Sequence, residues 1–229
     1  MINYQYTYLM LDLILFIVWI FLFIWRKDIR KRMLFFSAIF SITALILEPF
    51  YRDWWTPLKV TSLIIEDILF GFLLGGIAEV IYEVIYKKRV KVKKIKNAKK
   101  KRNINFLLLS GLVVSLFFAS YYLLGLNSFY SSIIALFIPT LVIWINRKDL
   151  VIDSIVTGFL LLIITFSAYF LLNLITPGWV EKFWLFQNIP KVMIFHVPLE
   201  DVIWYFFVGM LFGPLYEYWK EGKLINLKK

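Results

Sequence analysis

Two acidic dipeptides, Glu66-Asp67 and Glu200-Asp201, lie in stretches that are otherwise almost free of charge. An acid at mid-bilayer costs about 2.5–3.5 kcal/mol on insertion scales, so such residues persist where they perform a task. A carboxyl group kept from water holds its proton more tightly than one in water, which is the property a general acid needs. Adjacent residues of a helix point about 100° apart, so one member of each pair can face a cavity while the other faces a neighbouring helix. The same residues also fit a purely structural task, a polar clamp between helices. His196 stands four residues before Glu200, one turn on a continuous helix, where it could hydrogen-bond to that carboxyl and relay its proton. Phe70, Trp204 and Tyr205 follow the pairs by three to five residues. Aromatic faces at that distance can wall a pocket and steady a cation. Trp184, with Asn188 four residues later, adds an aromatic and a polar group ahead of the second pair.

The elements that carry these residues follow from composition. The chain has 229 residues, of which 61% are apolar and 18% charged. A soluble domain is nearer half apolar and a quarter charged, so a single water-soluble domain is excluded. Seven apolar stretches are long enough to cross a bilayer, which takes roughly 17–25 helical residues: 8–25, 33–50, 60–86, 104–124, 129–145, 150–175 and 197–219. The fold class read from this pattern is all-α, a polytopic membrane protein. The first stretch has no basic residue ahead of it and no small-residue cleavage site behind it, so it reads as a span and not a signal peptide.

Charge sets the orientation. The net charge is +11, and 22 of the 26 Lys and Arg fall after spans 1, 3, 5 and 7. Arg52, Lys59, Lys182 and Lys191 make up the other side. This asymmetry predicts a multi-pass protein of the plasma membrane with its N-terminus outside and its C-terminus in the cytoplasm. The segment 87–102 holds eleven of the cations and no aromatics on which bases could stack. It reads as a topology determinant and linker, with no nucleic-acid partner.

Self-comparison organises the chain. A shift of 134 residues aligns Glu66 with Glu200, Asp67 with Asp201, Phe72 with Phe206, Gly75 with Gly209, Tyr82 with Tyr216 and Glu83 with Glu217, without a gap. Upstream, Arg26-Lys27-Asp28 matches Arg147-Lys148-Asp149, and Pro49 to Trp55 matches Pro177 to Trp184 with small insertions. The expected organisation is repeat 1 over 1–87, a basic linker with connecting helix 4 over 88–128, and repeat 2 over 129–229. Three spans per copy is an odd number, so the extra helix lets both copies cross in the same sense, as parallel repeats about an axis along the membrane normal. That symmetry would bring Glu66 opposite Glu200. Glu83 and Glu217 end the same helices, about 25 Å further on, beside the cations with which they are expected to pair. Asp12 and Glu79 have no counterpart of the same type.

Several chemistries are excluded or lack their signature. Zero Cys removes disulfides, thiolate metal sites and cysteine nucleophiles, and a single His removes multi-histidine metal chemistry. There is no glycine-rich dinucleotide fingerprint and no phosphate loop. No cofactor and no metal are expected. The last span has no Lys for a retinal linkage, and no pair of aspartate-rich motifs would hold magnesium for a prenyl diphosphate.

The run Trp184…Asn188, Pro198-Leu199-Glu200-Asp201, Trp204-Tyr205 and Leu215-Tyr216-Glu217 resembles the membrane-embedded, flavin-free lycopene cyclase domain family, in its two-polypeptide and fused tandem forms. The resemblance implies an intramembrane cyclase that protonates the terminal double bond of a linear C40 carotenoid, closes a six-membered ring through a carbocation and releases a proton. It implies Glu66 and Glu200 as acids, with Asp67 and Asp201 as tuning groups or bases. Repeat 1 departs from the pattern, with Ile64 in place of Pro and Gly71 in place of a second aromatic. The partners expected are a linear carotenoid or other isoprenoid and the lipid bilayer. A non-catalytic isoprenoid- or lipid-binding seven-helix protein and a prenyltransferase-like enzyme are the other readings of the same features.

Overall fold

The computed structural model describes residues 4–55, 60–92 and 98–227. Of the residues singled out above, Lys59, residues 93–97 of the basic linker and Lys228-Lys229 lie outside the described residues, as do the side chains of Arg52 and Ile64.

The apolar runs fold as helices because a backbone in hydrocarbon must satisfy its own hydrogen bonds. They are α1 (Thr7–Trp25), α2 (Arg30–Leu47), α3 (Val60–Ile85), α4 (Ala98–Phe118), α5 (Ser128–Asn146) and α6 (Val151–Ile175). After these come the short α7 (Trp179–Phe183), α8 (Leu199–Phe212) and α9 (Leu215–Lys220). A 3-10 turn at Glu48–Asp53 follows α2, and a π turn at Ala119–Leu123 ends α4. Among the described residues, seven helical stretches are long and apolar enough to cross a membrane, the last being Leu199–Lys220. The protein is an all-α, multi-pass membrane protein.

Two differences from the expected spans are due to proline. The seventh span starts at Leu199, after an extended Pro198 that belongs to a hairpin of β2 (Met193–Ile194) and β3 (Val197–Pro198). It is also broken into α8 and α9 at Gly213-Pro214, because proline cannot donate the hydrogen bond that would continue the helix.

α3 packs along α2, and α8 packs along α6. Glycine allows both approaches. A Cβ at Gly75 would come within 2.4 Å of the Phe40 Cβ, and one at Gly209 within 2.7 Å of the Gly158 Cα. Leu11, Leu15, Leu73, Leu74, Ile77, Leu161 and Leu172 fill the centre between α1, α3 and α6. α4 is the least buried of the seven spans and packs on α5 and α9.

At the basic end, β1 (Lys88–Lys91) pairs antiparallel with β4 (Lys223–Asn226), tying the segment after α3 to the end of the chain. Two arginines latch the helices that lead into this ribbon. Arg26 forks onto Asp28 at 2.8 Å and donates to the Glu83 and Lys88 carbonyls. Arg147 forks onto Asp149 at 2.7–2.8 Å and donates to the Glu217 and Gly222 carbonyls. The 134-residue shift carries Glu83 onto Glu217 and Lys88 onto Gly222.

Candidate active site

The two acidic pairs sit near the end opposite the ribbon, Glu66-Asp67 early in α3 and Glu200-Asp201 in the first turn of α8. The helical rotation between neighbours separates the members of each pair. Asp67 and Asp201 line one cavity of about 310 Å³, whereas Glu66 and Glu200 do not. Phe70, Trp184, Trp204 and Tyr205 also form its wall, so the structure gathers six of the sequence-predicted residues around a single space. Among the described residues of the wall there is no Lys or Arg, and the two aspartates are its only carboxyl groups.

Each aspartate has a tyrosine nearby from another helix. Tyr8 of α1 donates to Asp67 Oδ1 at 2.9 Å, and its ring packs on Trp55 and Phe70 at 5.3 and 5.8 Å. Asp201 is faced by Tyr169 of α6 and by Trp184. The Tyr169 and Tyr205 hydroxyls are 2.9 Å apart. Asp201 Oδ2 and the Trp184 indole nitrogen are both buried without a hydrogen bond. Trp55 and Trp184, both in the wall, form an isolated antiparallel bridge and stack at 6.0 Å.

Behind the wall, Glu200 is 3% exposed, and neither of its carboxyl oxygens has a hydrogen bond. The Trp54 indole faces it without closing one. Asp12, one turn beyond Tyr8 on α1, is fully buried with both oxygens unpartnered and stands near Glu66 and Asp67. Glu66, about 100° round α3 from Asp67, is half-buried and outside the wall.

His196 and Asn188 are not brought to this cavity. His196 is at the tip of the β2–β3 hairpin with a left-handed backbone, its side chain 77% exposed and its Nδ1 3.7 Å from Glu181 Oε1. The helical-turn geometry that would aim it at Glu200 is absent, because the residues before Leu199 are extended. Asn188 is exposed in a left-handed turn between α7 and β2. Sequence reasoning missed Tyr8, Tyr51 and Tyr169, which also line the cavity. A lone tyrosine toward the end of an apolar helix reads as an interfacial anchor, and none of the three is duplicated by the repeat.

The basic end holds a second polar cluster. Arg32, in the first turn of α2, is buried and meets Glu79 at 3.5 Å, Glu83 and Glu217. The expected pairing of Glu83 and Glu217 with the basic-end cations thus falls to Arg32, which is also the partner of a third buried acid, Glu79. Outside the spans, the Arg26 guanidinium lowers the pKa of Asp28, and Asp149 raises that of Arg147. Among the described residues no three acid or histidine side chains converge as a metal site.

Residues 127–219, from the start of α5 into α9, match the family model described as lycopene cyclase. No curated protein and no solved structure matches the chain.

Proposed function

Taking residues 127–219 as a lycopene cyclase family segment, we propose that this protein is a redox-neutral, cofactor-independent cyclase of the end group of a linear carotenoid or closely related isoprenoid. The observation that carries this reading is one apolar cavity with an aspartate from each acidic pair in its wall. A carboxylic acid there adds its proton to the terminal double bond. The resulting cation is attacked by an internal double bond, which forms the ring carbon–carbon bond and moves the positive charge to a ring carbon. A carboxylate then takes a proton from a neighbouring carbon. One proton enters and one leaves, so the product is an isomer of the substrate and no oxidant or reductant is consumed.

Asp67 and Asp201 act as the proton donor and acceptor in this reading. Phe70, Trp204 and Tyr205 present aromatic faces to the cation, an interaction worth about 2 kcal/mol or more when desolvated. Glu66, Glu200 and Asp12 stand behind the wall and set the field in which the aspartates work. Among the described residues, a wall without Lys or Arg suits a hydrocarbon better than a prenyl diphosphate, whose phosphates call for cations.

We further infer that 1–87 and 129–229 are parallel repeats joined by 88–128. The corresponding Arg26 and Arg147 latches and the shared cavity support this arrangement. The cation count supports a plasma-membrane orientation with the N-terminus outside and the ribbon in the cytoplasm. Expression in a lycopene-accumulating bacterium, followed by pigment chromatography, tests the activity. Cyclic carotenoid is expected. Unchanged lycopene in membranes that contain folded protein would refute lycopene as the substrate.

A further inference from the structure

The cavity that holds the two aspartates is not closed on all sides. Of the residues in its wall, only Ile46 of α2 and Val114 of α4 are well exposed, at 55% and 54%. Both helices line the cavity, yet they do not pack along one another. Aromatic groups join them at either end of the gap. On the aspartate side, Phe50, just after α2, meets Phe117 and Phe118 of α4 at 5.9 and 5.4 Å. On the basic side, Trp219 is stacked between Phe35 of α2 at 5.3 Å and Phe106 of α4 at 4.5 Å. Between these clasps the edges of the gap are Ile39 and Thr43 on one helix and Ser110 and Val113 on the other. The result is a framed window whose described edges carry no charged group, set between two helices long and apolar enough to span a membrane.

We propose that this window between α2 and α4 is a lateral portal, through which the hydrocarbon chain of a membrane-dissolved linear isoprenoid reaches the aspartates. The identity of that chain rests on the function proposed above; the portal itself rests on the geometry. A space of about 310 Å³ lies at the lower end of the range that encloses a drug-sized molecule. It takes one end of a C40 chain, and the remainder must emerge. The window offers a route that keeps that remainder in lipid. Uncharged edges fit a hydrocarbon and give a charged headgroup no partner. The connecting helix thereby acquires a second task besides restoring the orientation of the second half: it forms one jamb of the opening.

The absence of native cysteine makes the portal testable without turnover. Ala135, 3% exposed on α5, lies in the cavity wall, so Ala135→Cys places the sole thiol inside. The protein is reconstituted in liposomes and labelled with pyrene maleimide dissolved in the bilayer. Thr43→Trp or, from the other edge, Val113→Trp is then added to fill the window. Each is expected to slow labelling roughly tenfold or more, as a lid over a site would. Ile42→Trp, at a 59% exposed position outside the wall, should leave the rate within about twofold, since isolated surface changes are mostly tolerated. Thermal unfolding identifies any variant that fails to fold, and the two edges serve as substitutes for each other. Labelling that neither folded window variant slows, or that Ile42→Trp slows equally, overturns the portal. Lycopene turnover by the unmodified chain is measured alongside. If turnover is absent while the window variants still block labelling, the substrate assignment falls and the portal stands.

Discussion

Asp201→Asn, read beside Asp67→Asn and Glu200→Gln, tests whether the cavity wall supplies the proton. Asn keeps the volume of Asp and presents a carbonyl oxygen where Asp67 accepts from Tyr8 at 2.9 Å, so the bond at position 67 is retained. At position 201 the Oδ2 atom has no hydrogen bond to lose. Packing and hydrogen bonding therefore change little, and the principal loss is a removable proton. General acid–base groups contribute roughly 10²–10⁴-fold, which is about 2.7–5.5 kcal/mol of barrier. Both Asp→Asn variants are expected to lose activity in that range while their unfolding midpoints move little. Glu200 lies outside the cavity, so Glu200→Gln should cost less than about tenfold, a change of under ~1.4 kcal/mol. The assay is the initial rate of cyclic carotenoid formation in isolated membranes, normalised to folded protein. Full loss on Glu200→Gln, with both Asp→Asn variants active, would refute the reasoning and put the proton source behind the wall.

Other perturbations probe the supports of the site. Tyr8→Phe removes the hydrogen bond to Asp67 and leaves a buried carboxyl oxygen unpaired, a cost of about 1–3 kcal/mol; turnover should fall, but by less than in Asp67→Asn, as measured in the same membranes. Arg32→Leu leaves Glu79, Glu83 and Glu217 without their shared cation. Losing one side of a buried pair costs about 3–5 kcal/mol, so the unfolding midpoint in detergent should drop, and adding Glu83→Gln should recover part of it. Gly209→Ala places a methyl group 2.7 Å from the Gly158 Cα and should destabilise by about 1–3 kcal/mol through overpacking. Gly111→Ala, where a Cβ meets nothing within 4 Å, should leave the midpoint unchanged or raise it.

Hydropathy made the seven spans legible because a membrane helix must be apolar over a fixed length. The acidic pairs were legible because charge is rare in such helices. Which member of each pair faces the cavity was not, since the rotation of α3 and α8 is set by Gly75 against Phe40 and Gly209 against Gly158, contacts between segments far apart in sequence. The position of His196 was misjudged for a local reason: Pro198 ends a hairpin just where periodicity alone continues a helix. The pairing of Glu83 and Glu217 with basic-end cations was legible from their place at the helix ends, and Arg32 meets both; its third acid, Glu79, was not, because no pattern within α2 or α3 reveals that contact. Tyr8 and Tyr169 escaped notice because their value lies in a meeting of α1 and α6 with the acidic pairs across the bundle.

The small cavity and the proposed portal between α2 and α4 together have a consequence for product order. A chain that enters end-first has no room to turn around inside about 310 Å³. Under the proposed function, a substrate with two reactive ends would have to withdraw into the bilayer after the first closure and return with its other end leading. If the proposed activity and portal hold, the enzyme would be distributive, releasing a half-finished product that competes with fresh substrate for the same opening. The ratio of one-ringed to two-ringed carotenoid would therefore depend on the amount of enzyme relative to the pool of chains dissolved in the membrane.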